Sequence, residues 1–437
     1  MSALPHLGIG GILRLGLVQS ALGGIVMLTT SMLNRIMVVE YALPAILPAA
    51  LIAWHYGVQL SRPTFGHASD RGGNRKRFIV GGMGMLAIGA LLATNAVFLM
   101  AVHPLPGVLL AVLAFTLIGG GVGASGTSLL ALLASRVAPD RRPAAAATTW
   151  IMMVAGIAIT AGVASGFLDP FSPQRLAMVA GAVCLFSFLL TLAAIAGVAE
   201  GIAPPPPERR SESFGSAIHA IWGDSRVRHF SIFVFVSMLA YSMQEVIMEP
   251  FAGLVFAYTP GESTRLASFQ NGAVLAGMIL VGGLGRRIAP LLPGGIRALV
   301  VLGCLLSAGA LALIASGALA GPGFPLAAAV MLLGLGNGMF AVAAIAAMMD
   351  LAGLDGRGRE GIRMGLWGAA QAIAFGLGGM LGAAGLDIGR ALLGADGTAF
   401  FLVFSAQALL FLAAAGLAVR IHVPRREGLD AGMGVAT

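Results

Sequence analysis

Gly66-His67-Ala68-Ser69-Asp70-Arg71-Gly72-Gly73-Asn74-Arg75-Lys76-Arg77 is a short, strongly basic segment set between two long apolar runs. The flanking runs, Tyr41–Ser61 and Phe78–Val102, are each long enough to cross a membrane. A hydrocarbon core takes about 20 helical residues, because a helix satisfies its own backbone groups in lipid. Charge-poor runs of this kind recur at Leu15–Asn34, Val108–Ser135, Pro143–Leu168 and Leu176–Ala199. A second set lies at Phe230–Ala257, Leu266–Gly285, Ala298–Ala320, Pro325–Met349, Met364–Leu386 and Gly397–Val419. The ninth and tenth runs are parted only by Gly321-Pro322-Gly323-Phe324-Pro325, a strong turn signal. The expected count is twelve spans.

Composition agrees with that pattern. Of 437 residues, 58% are hydrophobic and 10% charged, and mean hydropathy is +0.93. Soluble domains carry about 25% charged residues, so an ordinary soluble enzyme is excluded. The net charge of +8 is spread too thinly for a nucleic-acid surface, and no nucleic-acid partner is expected. Cys184 and Cys304 each sit in an apolar run, where they serve as small hydrophobes. No metal ligand set or catalytic constellation is expected. The first apolar stretch reads as a retained helix rather than a cleaved signal.

Twelve spans place both termini on one side, and the basic residues identify it. All Lys and Arg residues fall on the side of the termini except Arg35, Arg175, Arg265 and Arg390. By the positive-inside rule that side is cytoplasmic. The chain therefore divides into an N-terminal six-helix bundle (1–199), a cytoplasmic linker (200–229), a C-terminal six-helix bundle (230–420) and a tail (421–437). The linker opens with Pro204-Pro205-Pro206-Pro207, a stiff spacer. Phe214, Ile218, Ile221 and Trp222 then recur at helical spacing. That pattern fits a short amphipathic helix on the membrane surface, or a plain linker helix.

The basic segment resembles the G-x-x-x-D-R-x-G-R-[KR] loop between helices two and three of the major facilitator superfamily, and the expected fold is that all-α, twelve-helix architecture. Gly66 and Gly73 permit close approach and turning, and Asp70 is a carboxylate that can satisfy orphan N–H groups at a helix N-terminus. The resemblance implies that this neighbour is helix eleven, starting near Arg363. Arg71, Arg75 and Lys76 would hold the loop among anionic headgroups. The equivalent loop of the second half, Gly282-Gly283-Leu284-Gly285-Arg286-Arg287, has no Asp.

Proton-driven transport needs ionisable groups at membrane depth, and this chain offers few. Helix five, Gly156-Ile157-Ala158-Ile159-Thr160-Ala161-Gly162, lacks the Gly-Pro pair of drug–proton antiporters. Large, flat or lipid-soluble cargo is expected instead. The exceptions cluster at the ends of helices one and seven: Arg35 and Glu40 in the first, Glu245 and Glu249 in the second. Arg35 pairing with Glu245 or Glu249 would clamp the two halves on the non-cytoplasmic side. The alternative is that these side chains snorkel to water. His55 is either an axial ligand for a chlorophyll magnesium or a hydrogen-bonded interhelical residue. Asn34 and Gln244 are the other candidates for pigment contact. Glycines crowd helix four (Gly119-Gly120-Gly121-Val122-Gly123-Ala124-Ser125-Gly126) and helix eleven. They would serve close packing or a groove for a planar macrocycle.

Several longer strings are similar to the PucC/LhaA family of phototrophic bacteria. They include Leu33-Asn34-Arg35-Ile36-Met37-Val38-Val39-Glu40, Met243-Gln244-Glu245-Val246-Ile247-Met248-Glu249-Pro250 and Gly361-Ile362-Arg363-Met364-Gly365-Leu366-Trp367. The resemblance implies a non-enzymatic assembly factor for light-harvesting antenna complexes in the bacterial inner membrane, cytoplasmic or intracytoplasmic. Its implied cargo is bacteriochlorophyll, with carotenoid or lipid as further cargo classes. Its implied partners are the antenna α/β polypeptides, the reaction centre and membrane lipids. Some members carry a bacteriochlorophyll-synthase label, yet no N-x-x-x-D-x-x-x-D motif is present to hold the magnesium diphosphate of prenyl transfer. The alternative is a major facilitator exporter or flippase of a hydrophobic small molecule.

Overall fold

A computed structural model describes residues 7–61, 65, 75–138, 141–198, 225–288, 291–352 and 360–420. The described regular structure is helical throughout. The first half holds α1 (Ile9–Glu40), α2 (Ile46–Gln59), α3 (Arg75–Val102), α4 (Pro104–Arg136), α5 (Arg142–Leu168) and α6 (Pro173–Ile195). The second holds α7 (Ser225–Phe256), α8 (Pro260–Ile288), α9 (Ile296–Ala320), α10 (Leu326–Ala352), α11 (Glu360–Leu393) and α12 (Asp396–Val419). Ten of these are long and apolar enough to cross a membrane. The other two are α2, with 14 residues, and α11, in the second and eleventh places.

Several boundaries differ from the hydropathy reading, and each difference has a local cause. α1 continues past Asn34 because two π-helical turns, Leu28–Met32 and Ile36–Glu40, carry its wound backbone on to Glu40. Arg35 and Glu40 are therefore parts of a helix and not of a loop. α2 starts at Ile46 rather than Tyr41, since residues 41–45 form the turn that reverses the chain. α7 begins at Ser225, inside the expected linker, and α11 runs on to Leu393. The Pro-rich spacer and the candidate surface helix lie outside the described residues.

The halves repeat one packing scheme. α1 packs on α5 and α6, α3 on α4 and α6, and α2 on α4. Six helices later α7 packs on α11 and α12, α9 on α10 and α12, and α8 on α10. A pseudo-two-fold relation of this kind is the signature of a repeat-built transporter fold. Glycines make the tightest contacts. A Cβ on Gly121 of α4 would stand 2.6 Å from the Leu86 nitrogen of α3, and one on Gly303 of α9 would stand 2.5 Å from the Phe340 nitrogen of α10. The glycine crowding therefore serves backbone-to-backbone packing within the bundle. Cys184 and Cys304 are buried and free.

The halves meet along two seams, α2 against α11 and α5 against α8. The pseudo-two-fold exchanges the two seams, α2 corresponding to α8 and α11 to α5. Between the seams, the end of α1 contacts α7.

Candidate functional site at the seam between the halves

α1 and α7 end in the same way. Ala42 and Ala257 both adopt the left-handed region, at φ 52° and 55°. The Leu43 N–H then donates back to the Met37 carbonyl at 2.9 Å, and the Tyr258 N–H to the Ala252 carbonyl at 3.1 Å. These are paired 6→1 helix terminations with alanine where glycine is usual. Each termination delivers the N-terminus of the next helix to a carboxylate of the opposite half. The Ala45 and Ile46 N–H groups of α2 donate to Asp387 of α11 at 3.1 and 2.8 Å. The Gly261 N–H of α8 donates to Asp169 at 3.0 Å, and the Thr259 hydroxyl adds a 2.6 Å bond. Anionic groups are favoured at helix N-termini by the macrodipole and the orphan N–H groups. Both seams are thus closed at one end by the same device.

Three further contacts join α1 to the C-terminal half between those caps. Arg35, only 1% exposed, bonds Glu40 at 2.5 Å and donates to the Tyr258 carbonyl at 2.6 Å. The Ser31 hydroxyl donates to Glu249. The Asn34 amide donates to the Val246 carbonyl. That last bond follows from elementary helix geometry. The N–H that would satisfy Val246 belongs to the residue four positions on, which is Pro250 and has none. Asn34 supplies the missing donor from the other half.

The expected Arg35 ion pair with Glu245 or Glu249 is corrected by this arrangement. The π turn of α1 brings Glu40 round to Arg35, so the ion pair forms within one half. Arg35 still clamps the halves, but through the Tyr258 carbonyl. Glu249 stays within electrostatic reach of Arg35 without forming an ion pair.

His55 is 1% exposed and its Nε2 is 2.7 Å from the Gln59 amide one turn on. Its backbone lies against Gly119 of α4. The imidazole thus sits in a buried hydrogen bond within α2, while the His55 backbone packs on α4. Gln244 is fully buried, and neither of its amide atoms has a hydrogen-bond partner. Neither Asn34 nor Gln244 offers a free surface to a macrocycle. Glu245 is different: it is exposed and accepts a hydrogen bond from Tyr241. The Phe375 ring of α11 stands 5.7 Å from that of Tyr241 and 5.5 Å from that of Tyr56 in α2. Rings from both halves therefore cluster beside Tyr241, the partner of this carboxylate.

The other seam is apolar. A groove of about 760 Å³ runs between α5, α8 and α10, walled by Ile159, Val163, Phe269, Met331 and Leu332. All five are exposed. Ser268, its one hydrogen-bonding side chain, is turned onto the Ala158 carbonyl at 2.8 Å. Of the basic motif, Gly66, Asp70, Arg71 and Gly73 lie outside the described residues. Arg75 donates to the Ala131 carbonyl of α4 at 3.0 Å, and Lys76 is half-buried. Among the described residues no group of acids, histidines and cysteines could hold a metal ion.

Asp169, Asp387 and Tyr258 were not singled out from the sequence. The two acids stand just beyond their apolar runs, where an acid ordinarily means only an interface with water. Pro250 carried a usable signal: a proline inside a helix orphans the carbonyl four residues back and demands an outside donor.

The PUCC protein family matches residues 32–426. A protein of Rhodobacter capsulatus called bacteriochlorophyll synthase 44.5 kDa chain is 52% identical over 415 residues, 95% of this chain and 96% of that protein. Protein PucC of Rhodobacter capsulatus is 29% identical, over 93% of this chain and 91% of its own. A bacterial homologue of the lysosomal transporter Spinster, in an inward-facing and occupied conformation, superposes with a TM-score of 0.72 at 15% identity. The match covers 93% of this chain and 95% of that one. The nucleoside transporter NupG superposes with a TM-score of 0.71 at 14% identity, over 94% and 99% of the two chains. These likenesses show the fold, that of major facilitator transporters. The chain is a multi-pass membrane protein and belongs to the PUCC family.

Proposed function

We propose that this PUCC-family protein is a non-enzymatic assembly factor for bacterial light-harvesting antenna complexes, holding bacteriochlorophyll for nascent antenna polypeptides. It acts as a twelve-span protein of the bacterial inner membrane, with both termini in the cytoplasm. The observation that carries this reading is the groove between α5, α8 and α10. Its wall is hydrophobic, exposed and without an unpaired polar group, so water-soluble cargo would gain nothing there. A nascent antenna helix, a carotenoid or a lipid would be matched by it. Its volume lies within the range of about 300–1,000 Å³ usual for small-molecule sites. The 52% identical relative carries a synthase name. Prenyl transfer requires clustered carboxylates around magnesium, and among the described residues no three acids, histidines or cysteines come together.

The test is purification from a pigmented host followed by an absorption spectrum. Bacteriochlorophyll bands that copurify with the protein, together with loss of antenna complexes on gene deletion, are expected. A colourless protein and unchanged antenna levels would defeat the reading. The twin Asp caps favour a second reading, an exporter or flippase of a hydrophobic molecule, because they close one end of the bundle as a gate would. Cysteines at Pro44 and Ile388 joined by a flexible thiol cross-linker would hold that end shut. A transporter stops under this treatment, whereas a scaffold keeps assembling antennae.

A further inference from the structure

Glu245 stands apart from the other acids whose side chains are described. Glu40 is paired with Arg35 and Asp396 with Arg390. Asp169, Asp387 and Glu262 accept backbone N–H groups, and Glu249 accepts from Ser31 beside Arg35. Among the described residues, Glu245 receives only the Tyr241 hydroxyl from its own helix. At 1.5 Å per residue it lies about 16 Å from the Phe256 end of α7, well inside the hydrocarbon layer. An acid at that depth normally marks a ligand path.

The surroundings specify the ligand. Phe375 and Tyr56, one from each half, meet edge to face across the α2–α11 seam, with Tyr241 beside Phe375. Glu245 is itself exposed, so open space lies beside this cluster. Aromatic faces with flanking open space suit a planar ring system. An anionic oxygen in that setting suits a hard cation such as magnesium. The imidazole of His55 is already engaged by Gln59.

We propose that Glu245 is the axial ligand of the magnesium of a bacteriochlorophyll-type macrocycle seated in the α2–α7–α11 seam. Tyr241 positions the carboxylate, and the touching rings of Tyr56 and Phe375 form a wall for the macrocycle to lie against. One oxygen of Glu245 donates an electron pair to the vacant axial position of the magnesium, with no bond broken and no proton transferred. The inference rests on the pigment-holding reading and adds the site to it.

The experiment titrates purified full-length protein with bacteriochlorophyll and with its metal-free counterpart, following the visible band that reports magnesium coordination number. Wild type should bind the magnesium pigment at least about 10-fold more tightly than the metal-free one, as expected for a metal-directed contact. Glu245→Gln should abolish that preference and leave metal-free binding unchanged. Glu245→His should restore it, because imidazole also ligates magnesium. Tyr241→Phe should weaken magnesium-pigment binding by about 10-fold, the usual effect of losing an outer-shell partner. If wild type binds both forms equally and Glu245→Gln changes neither, ligation is wrong and pigment holding stands. If Glu245→Gln loses both forms and Glu245→His does not restore the preference, Glu245 is structural and the proposal also falls. Failure of wild type to bind either pigment overturns this proposal and the reading beneath it.

Discussion

The two seams between the halves are alike at their tips and unlike in their depths. At the tips, Asp387 holds the N-terminus of α2 and Asp169 holds that of α8, through equivalent backbone groups after equivalent left-handed turns. Deeper in, the α2–α11 seam carries rings and an exposed carboxylate, whereas the α5–α8 seam carries an apolar groove. Closure of the bundle is therefore a symmetric property, inherited from the internal repeat. The lining is asymmetric and is written separately into each seam. A protein that only gated one solute would have no need of two differently lined seams.

The strongest way to break the comparison is to remove what both tips share. Arg35 lies between the seams, 1% exposed, and joins Glu40 of its own half to the Tyr258 carbonyl of the other. Arg35→Ala leaves Glu40 without its cation and the carbonyl without its donor. The expected loss is about 3 kcal/mol, seen as a lower Tm in detergent, with pigment and antenna phenotypes lost together. A variant with unchanged Tm would show that the halves are held by the seams alone.

Asn34→Ala comes next and tests a single orphaned carbonyl. Leaving Val246 unsatisfied should cost about 2 kcal/mol. In a Pro250→Ala background, α7 regains the N–H that proline removes, and the same Asn34→Ala change should cost less than about 0.5 kcal/mol. Equal costs in both backgrounds would mean that Asn34 does not act through the proline-orphaned group.

The caps sharpen the symmetric part of the comparison. Asp387→Ala and Asp169→Ala should each cost about 1 kcal/mol, the usual value of a lost helix cap. Because they sit at opposite seams, their effects should sum to within about 0.5 kcal/mol in the double variant. Strong non-additivity would show that the seams open as one unit. A large inequality between them would mean that the tips are less alike than their hydrogen bonds.

Why one part of this design is legible in the sequence and another is not follows from particular residues. The bundle is legible because lipid forces each span to be a long apolar helix. The end of α1 was misjudged because the π turns that carry it on to Glu40 leave the apolar pattern unchanged. Those turns decide that Arg35 meets Glu40 rather than Glu249. The caps were hidden for another reason. Asp387 lies within α11, six residues before its end, whereas Asp169 follows the last residue of α5. In the sequence each directly follows an apolar run and reads as an interface residue, so their one task in space shows only in the fold. Glu245 is legible as an acid in a span, but that no described cation pairs with it appears only once the other acids are seen to be engaged.

The smallest structural effect belongs to the α5–α8 seam, and there the absence of an effect is informative. Gly272 lines the groove, and a Cβ built on it meets no atom within 4 Å. Gly272→Leu therefore adds a side chain into open space on a helix, where leucine is preferred to glycine. Stability should move by no more than about 0.5 kcal/mol in either direction, because no packed neighbour is displaced. The groove itself would be filled. If it receives an antenna helix, antenna levels in a deletion strain complemented with this variant should fall several-fold, while the purified protein keeps its pigment spectrum. Unchanged antenna levels would make the groove a passive lipid contact and leave all cargo handling to the α2–α7–α11 seam. Loss of the pigment as well would show that the two seams are coupled and that the division of labour between them is wrong.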